Sequence, residues 1–275
     1  MKGSIKRKIT RIPNMFTKSS GLSTDLSTII PQRRSIIVII VHFGNKKDTN
    51  SLVDSLKNNA RVPDDIIVID NDVDNRGYLG GLKAGVFQSR QSGYRSNDLL
   101  VLLNNDLRVG VGFISEIERW WDEQGSPRTL AGPTAGQLSV VTGRAHVRSL
   151  QKRVLPKGYV HGSCLIVERA FFEQLSDMED FFMYWEDVAM SLRALALGGN
   201  LKIIPNLPVY HDDVLASMSG DKLYYLVRNG AYVLEKLKFP WGAYWRIGNS
   251  LRYAYHRLLG HDVIVRALRD RKSIL

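Results

Sequence analysis

The segment Leu99-Leu100-Val101-Leu102-Leu103 is apolar at every position and runs directly into Asn104-Asn105-Asp106. Strict alternation would mark a strand with one wet face. An unbroken apolar run of this length marks a strand covered on both faces, as in parallel sheets flanked by helices. Ligands of open α/β sheets bind just beyond the carboxyl ends of such strands, which is where the two amides and the carboxylate fall. Taken alone, Asn-Asn-Asp also reads as a turn or a helix cap, because both residue types hydrogen-bond readily to nearby backbone.

Two earlier segments follow the same plan. The β-branched run from Ile36 to Val41 ends at His42-Phe43-Gly44-Asn45, and helical spacing follows over 49–58 through Leu52, Ser55 and Leu56. Asp65-Ile66-Ile67-Val68-Ile69 runs into Asp70-Asn71-Asp72, after which Asn75-Arg76-Gly77-Tyr78-Leu79-Gly80-Gly81 reads as a glycine-rich turn leading into a helix over 82–88. Strands alternating with helices predict βαβ units and a mostly parallel sheet. Parallel strands bring their carboxyl ends together, so the three polar clusters converge on one sheet edge and predict a nucleotide site. Gly77, Gly80 and Gly81 do not have the Gly-x-Gly-x-x-Gly spacing of a dinucleotide fingerprint, and no Gly-Lys-Ser/Thr motif follows them, which argues against both of those phosphate-binding classes.

The second half changes character. The stretch 159–169, with Gly162-Ser163-Cys164 at its centre, reads as one strand whose small residues admit a ligand or another backbone. Phe181-Phe182-Met183-Tyr184-Trp185 then leads into Glu186-Asp187, with a helix over 188–197 ended by Gly198-Gly199. Apolar walls beside a carboxylate raise its pKa and suit it to proton transfer, while the bland reading is an acid compensating a helix dipole. Short extended pieces over 201–204 and 209–211 place His211 at another element end.

Charge is unevenly spread. Of the net +11, residues 1–34 carry +7 and residues 236–275 another +7, leaving the middle at −3. Such arms suit anionic lipid, nucleic acid or an acidic substrate, or serve as solvated tails. Residues 241–259 have helical periodicity, with Tyr244, Gly248, Leu251, Tyr255, Leu258 and Leu259 broadly on one face and Arg246, Ser250 and Arg257 opposite. That pattern reads either as an interfacial membrane helix or as a helix packed on the body. No apolar run approaches the roughly 18 residues of a membrane span, and the basic N-terminus lacks an apolar signal region. The single cysteine, Cys164, lies among apolar neighbours and predicts a buried, inert thiol in a reducing compartment. The expected location is cytoplasmic, on the inner face of the membrane where the arms engage it.

In this order the blocks resemble the family-two, inverting nucleotide-sugar glycosyltransferases, in particular their rhamnosyltransferase-like branch. The resemblance rests on Val38-Ile39-Ile40-Val41-His42-Phe43, on Val68-Ile69-Asp70-Asn71 with the glycine turn, on Leu103-Asn104-Asn105-Asp106, and on the run from Gly162 through Glu186-Asp187 and Arg193 to Pro205 and His211. It spans about 36–230, extended by Tyr224-Tyr225 and Arg228-Asn229. The resemblance implies a GT-A-type, Rossmann-like α/β sheet with flanking helices and a C-terminal helical extension. Its divisions are a basic, flexible extension at 1–34, a transferase domain at 35–235 with a nucleotide-sugar half at about 35–110 and an acceptor half at 111–235, and a basic amphipathic extension at 236–275.

The resemblance also implies roles. Asp70 pairs with the nucleobase, and His42, Phe43, Asn71, Gly80 and Gly81 line the nucleoside pocket. Asn104 and Asn105 lie near the ribose, and Arg228 meets the diphosphate or an acidic acceptor; Lys83 departs from the family pattern, standing where an Asn is common, and is expected to neutralise phosphate. Asp106 holds Mg²⁺ or Mn²⁺ on the diphosphate with His211 as a further ligand, and Asp187 is the general base, with Glu186 as its alternate. The implied reaction moves a sugar from a nucleoside-diphosphate sugar to a glycan or lipid-linked hydroxyl acceptor in cell-surface polysaccharide synthesis. Two other readings stay open at this level: a nucleic-acid-binding protein, or a transferase with a nucleic-acid acceptor, whose arms grip phosphate; and a noncatalytic member of the fold.

Overall fold

The computed structural model describes residues 33–148, 158–178, 181–211 and 220–272. The expected flexible extension at 1–34 lies almost wholly outside the described residues; Arg34, its last member, belongs to the body, donating to Asn97 O at 2.8 Å and pairing with Glu168 at 3.2 Å.

The first half follows the predicted alternation: β1 (Ile36–His42), α1 (Lys46–Lys57), β2 (Asp65–Asp70), α2 (Gly77–Gln91) and β3 (Leu99–Asn104). Next come β4 (Leu107–Val109), α3 (Phe113–Gln124), β5 (Thr129–Gly132), β6 (Ala135–Leu138), β7 (Ala145–Arg148), β8 (Gly158–Val160), β9 (Cys164–Glu168) and α4 (Arg169–Ser176). The chain continues through α5 (Glu186–Ala196), β10 (Asn200–Ile203), β11 (Val209–His211), α6 (Gly220–Glu235), α7 (Trp241–Leu258) and α8 (Asp262–Asp270).

Among the described residues, six strands form one sheet in the order β10-β5-β9-β3-β1-β2. All its pairings are parallel except those of β9, which runs antiparallel to β3 and β5. Every residue of β1 is buried, and side chains alternate between two cores because successive strand residues face opposite ways. Ile37, Ile39 and Val41 join Leu100, Leu102 and Leu165 under α2, α4 and α5, while Ile36, Val38 and Ile40 join Leu99, Val101 and Leu103 under α1 and α3. Cys164 lies in the second core, and burial pushes its thiol far up, so it is inert, as its neighbours predict.

Two expectations change. The segment 159–169 is not one strand: it breaks at His161-Gly162-Ser163, where β8, which pairs with β6, gives way to β9, which enters the main sheet. The glycine-rich turn is shorter than predicted, because α2 begins at Gly77 and takes Gly80 and Gly81 into its first turns. Its glycines are packing devices. A Cβ on Gly81 would meet Val41 at 2.7 Å, and one on Gly85 would meet Ile39 Cγ2 at 2.4 Å, so their absence lets α2 lie directly on β1.

Alanine is a better helix former than glycine by about 1 kcal/mol, yet overpacking a tight core costs about 1–3 kcal/mol. Gly85→Ala is therefore expected to lower the urea midpoint. A raised midpoint would show that Ile39 yields freely and that the close approach is not required.

Candidate active site

The parallel register sets the edge. His42 is the partner of Asp70, and Val41 is the partner of both Ile69 and Asn104, so the carboxyl ends of β1, β2 and β3 meet side by side. A cleft of about 460 Å³ opens there, lined by Phe43, Asn71, Asn104 and Asn105 from the sheet edge and by Glu186, Asp187 and His211.

Asp106 follows β3 in a turn, and β4 then pairs antiparallel with β11, with Leu107 opposite His211. This ribbon carries His211, about 100 residues downstream, to Asp106: its Nε2 lies 3.3 Å from Asp106 Oδ2. The hydrogen bond and the charge of His211 hold the Asp106 carboxyl below its ordinary range against the opposing effect of partial burial. A carboxylate oxygen and an imidazole nitrogen, both partly exposed and with His211 lining the cleft, form a donor set that suits Mg²⁺ or Mn²⁺ when phosphate oxygens complete the shell.

A second cluster, His42, Asp70 and Asp72, also brings three ligand-type atoms within 4.8 Å of one another. Its groups are already engaged. His42 contacts Thr49 Oγ1 at 2.7 Å and Asp72 at 3.2 Å, Asp72 accepts from Gly44 N at 3.0 Å, and Lys46 Nζ lies 3.7 Å from Asp70. An adjacent ammonium competes with a cation, so this arrangement suits hydrogen bonding to a polar ring better than metal binding. Thr49 also accepts from Asn105 Nδ2 at 3.1 Å and so ties β1 to the β3 turn.

The opposite wall is built on strained backbone. Tyr184 and Trp185 are consecutive non-glycine residues with φ of 64° and 72°, a conformation unfavourable for any side chain with a Cβ. Buried Asn229 of α6 holds them there, donating from Nδ2 to Met183 O at 2.7 Å and to Tyr184 O at 3.1 Å, and neighbouring Gly230 leaves room for the Trp185 ring. The result is that α5 starts at Glu186, with both acids in its first turn.

The two acids are held differently. Asp187 accepts from Gly162 N at 3.0 Å through Oδ2 and from Val188 N at 2.7 Å through Oδ1, and the charge of His161 also favours its ionised form. Burial nonetheless raises it above its ordinary value. Glu186 Oε2 is buried with no hydrogen-bond partner among the described residues, and burial, reinforced by the charge of Asp187, pushes its carboxyl up to about 8. Burial raises both carboxyls, and the two backbone donors favour the ionised form of Asp187. Asn71 Oδ1 is a second buried acceptor without a partner at this cleft, its Nδ2 being spent on Gly77 O at 2.9 Å.

Seven predicted residues are outside the cleft lining: His42, Asp70 and Asp106 stand at the strand ends beside it, and Lys83, Gly80, Gly81 and Arg228 lie elsewhere. Lys83 points away, its Nζ donating to Met178 O at 3.3 Å. Gly80 and Gly81 are helix-interior residues, Gly81 being packed beneath Val41. The Arg228 guanidinium bonds Asn229 Oδ1 at 3.0 Å and lies over the rings of Tyr224 and Tyr225; it touches the cleft wall indirectly, through Asn229 and through Tyr225, which stacks on Phe182 at 5.0 Å. For Lys83, Gly80, Gly81 and Arg228 the reason is shared: each follows a helical turn whose facing is set by packing and cannot be read from spacing to a motif. His161 and Tyr78 were missed. His161 lines the cleft and bonds Ser163 Oγ at 2.9 Å, and Tyr78 donates to Gly162 O at 2.9 Å. The polar break His161-Gly162-Ser163 inside an apolar run was the available signal.

This sheet and cleft are those of the GT-A glycosyltransferase fold. The described chain superposes on GalNAc-T7, solved with UDP, GalNAc and Mn²⁺, with a TM-score of 0.59 and 13% identity over 78% of this chain and 50% of that one. It superposes on residues 1–349 of S. aureus TarS, solved with UDP-GlcNAc, with a TM-score of 0.51 and 13% identity over 76% of this chain and 69% of that one. In sequence it is 30% identical over 152 residues to the low-salt glycan biosynthesis hexosyltransferase Agl10 of Haloferax volcanii. That match covers 48% of this chain and 47% of Agl10, so the chain spans about half the length of the curated relative it matches. No protein-family model matches the chain.

The raised Glu186 carboxyl carries a stability consequence. Between its ordinary value of 4.5 and about 8 the folded state holds a proton that the unfolded state has lost, so stability falls as pH rises through that window. Glutamine has no such proton. Glu186→Gln is therefore expected to gain in Tm relative to the parent as pH is raised across the window, with each kcal/mol worth about 2–4 °C at this size. Melting curves that shift in parallel for both proteins would refute the assignment.

Proposed function

We propose that the protein is an inverting glycosyltransferase that moves a sugar from a nucleoside-diphosphate donor to a hydroxyl of a glycan or lipid-linked glycan. The observation that carries this reading is one cleft of a GT-A fold lined by Glu186, Asp187 and His211, with Asp106 held 3.3 Å from His211 Nε2 beside it. Inversion needs a base and leaving-group stabilisation on opposite sides of the anomeric carbon, and in this reading Asp187 serves as the base and Asp106–His211 serves the leaving group.

In this reading Asp70 with His42 binds the nucleobase, Asn104 and Asn105 hold the ribose, and Phe43 covers the nucleoside. Asp106 and His211 would hold Mg²⁺ or Mn²⁺ against the diphosphate, where a divalent cation neutralises the charge that develops on the departing phosphate. Asp187, ionised and fixed by two backbone donors, takes the proton of the acceptor hydroxyl as its oxygen attacks the anomeric carbon. The glycosidic bond forms as the bond to the diphosphate breaks. Glu186 keeps its proton, which leaves Asp187 as the sole negative charge at that wall and supplies a donor to a sugar hydroxyl. The hexosyltransferase Agl10 supports a hexose as the transferred group.

The test is turnover of a panel of uridine and deoxythymidine diphosphate sugars with added Mn²⁺, read as release of nucleoside diphosphate. Asp187→Asn is expected to lower kcat by about 10²–10⁴-fold with little change in donor KM. Asp106→Ala is expected to lose the thermal stabilisation that donor and Mn²⁺ together confer on the parent. Turnover unchanged in both variants would overturn the reading. Lys83→Ala is expected to turn over donor at close to the parent's rate, since Lys83 is committed to Met178 O.

A further inference from the structure

The C-terminal helices form a layer fastened to α6. Arg271 pairs with Glu235 at 2.6 Å, Asn249 donates to the same carboxylate at 2.9 Å, and Tyr224 donates to Asp270 at 3.0 Å. Through this layer α7 turns Gly242, Trp245 and Asn249 inward, and the Trp245 indole donates to Val140 O at 2.7 Å.

The outward face of α7 is apolar. Tyr244, Ile247, Leu251, Tyr255 and Leu258 recur at spacings of three and four, and at about 100° per residue they fall within an arc of about 80°. Ile247, Leu251 and Leu258 are 64%, 67% and 87% exposed, in place of the burial such a stripe ordinarily receives. Arg252 flanks the stripe on one side and Arg246 and Arg257 on the other, and α7 contains no acidic residue. The segment 236–272 that contains it holds nine Lys and Arg against Asp262 and Asp270.

We propose that α7 is a docking surface for an anionic lipid bilayer. The stripe enters the interface while the flanking guanidiniums reach the phosphates, the arrangement that both apolar burial and charge attraction favour. A second copy fits poorly, because a two-fold contact through the stripe sets the basic flanks of one helix against those of the other. No described helix is long and apolar enough to cross a membrane, so the contact lies in the plane of the surface. Asn229 of α6, which carries the α7–α8 layer, also shapes the backbone before Glu186, so a docked α7 would hold the cleft at a set position relative to the bilayer. The proposal does not depend on the transferase reading, and its test uses no sugar donor.

The experiment is co-sedimentation of the full chain with vesicles of phosphatidylcholine containing phosphatidylglycerol, compared with phosphatidylcholine alone, at low and high salt. The parent is expected to bind the anionic vesicles at low salt, more weakly at high salt and least on neutral vesicles. Leu251→Ser with Leu258→Ser, two exposed positions that leave the core untouched, is expected to weaken binding about tenfold or more while the melting curve is retained. Absence of binding by the parent, or equal binding by parent and variant, would overturn the proposal. So would a parent dimer in sedimentation velocity that the variant lacks, since that would make a second copy the occupant.

Discussion

Everything in this structure depends on the burial of β1. A seven-residue strand with no wet face can be covered only by strands on both edges and helices on both faces, and short connections through helices make those neighbours parallel. Parallel pairing then gives His42, Asp70 and Asn104 a common edge. The polar residues there are not drawn together by mutual attraction. They are delivered by the apolar residues that precede them.

The opposite wall is assembled by different means, and its chemistry is electrostatic. Glu186 and Asp187 are adjacent in sequence and share one helix turn, yet Gly162 N and Val188 N donate to Asp187 while Glu186 Oε2 has no partner among the described residues. Two buried carboxylates this close cannot both ionise cheaply, so the donors decide which one carries the charge. Gly162 suits that arrangement: a Cβ there would crowd Asp187 Cβ at 3.1 Å, next to the N–H that donates to the carboxylate. The strained backbone at Tyr184 and Trp185, clamped by Asn229, is the cost of placing the acids at the mouth of the cleft.

The Asp106–His211 pair shows how a small antiparallel ribbon completes a parallel sheet. The pairing of β4 with β11 is only three residues long, but it turns a carboxylate at a strand end into a two-donor site. The same α/β frame carries GalNAc-T7 and TarS at 13% identity, as expected where the packing of the frame is kept and its sequence is not.

Local pattern determined much of this protein. The apolar runs of β1, β2 and β3, their polar ends, the acids after the aromatic run and the helical span of α7 were all legible, because each depends on neighbours within a few residues. Tertiary structure alone decided the rest. It drew Gly80 and Gly81 into α2 because β1 lies too close for a side chain at Gly81, turned Lys83 toward Met178, and broke 159–169 at His161 because the two halves pair with different sheets. It also buried Glu186 and Asp187 together, which raises both carboxyls, and gave Asp187 two backbone donors. For α7 the periodicity showed that one face is apolar. Which face meets the body was set by where Trp245 and Asn249 find their partners, and that left the apolar stripe facing outward. Periodicity is a property of one helix, whereas facing is a property of everything packed against it.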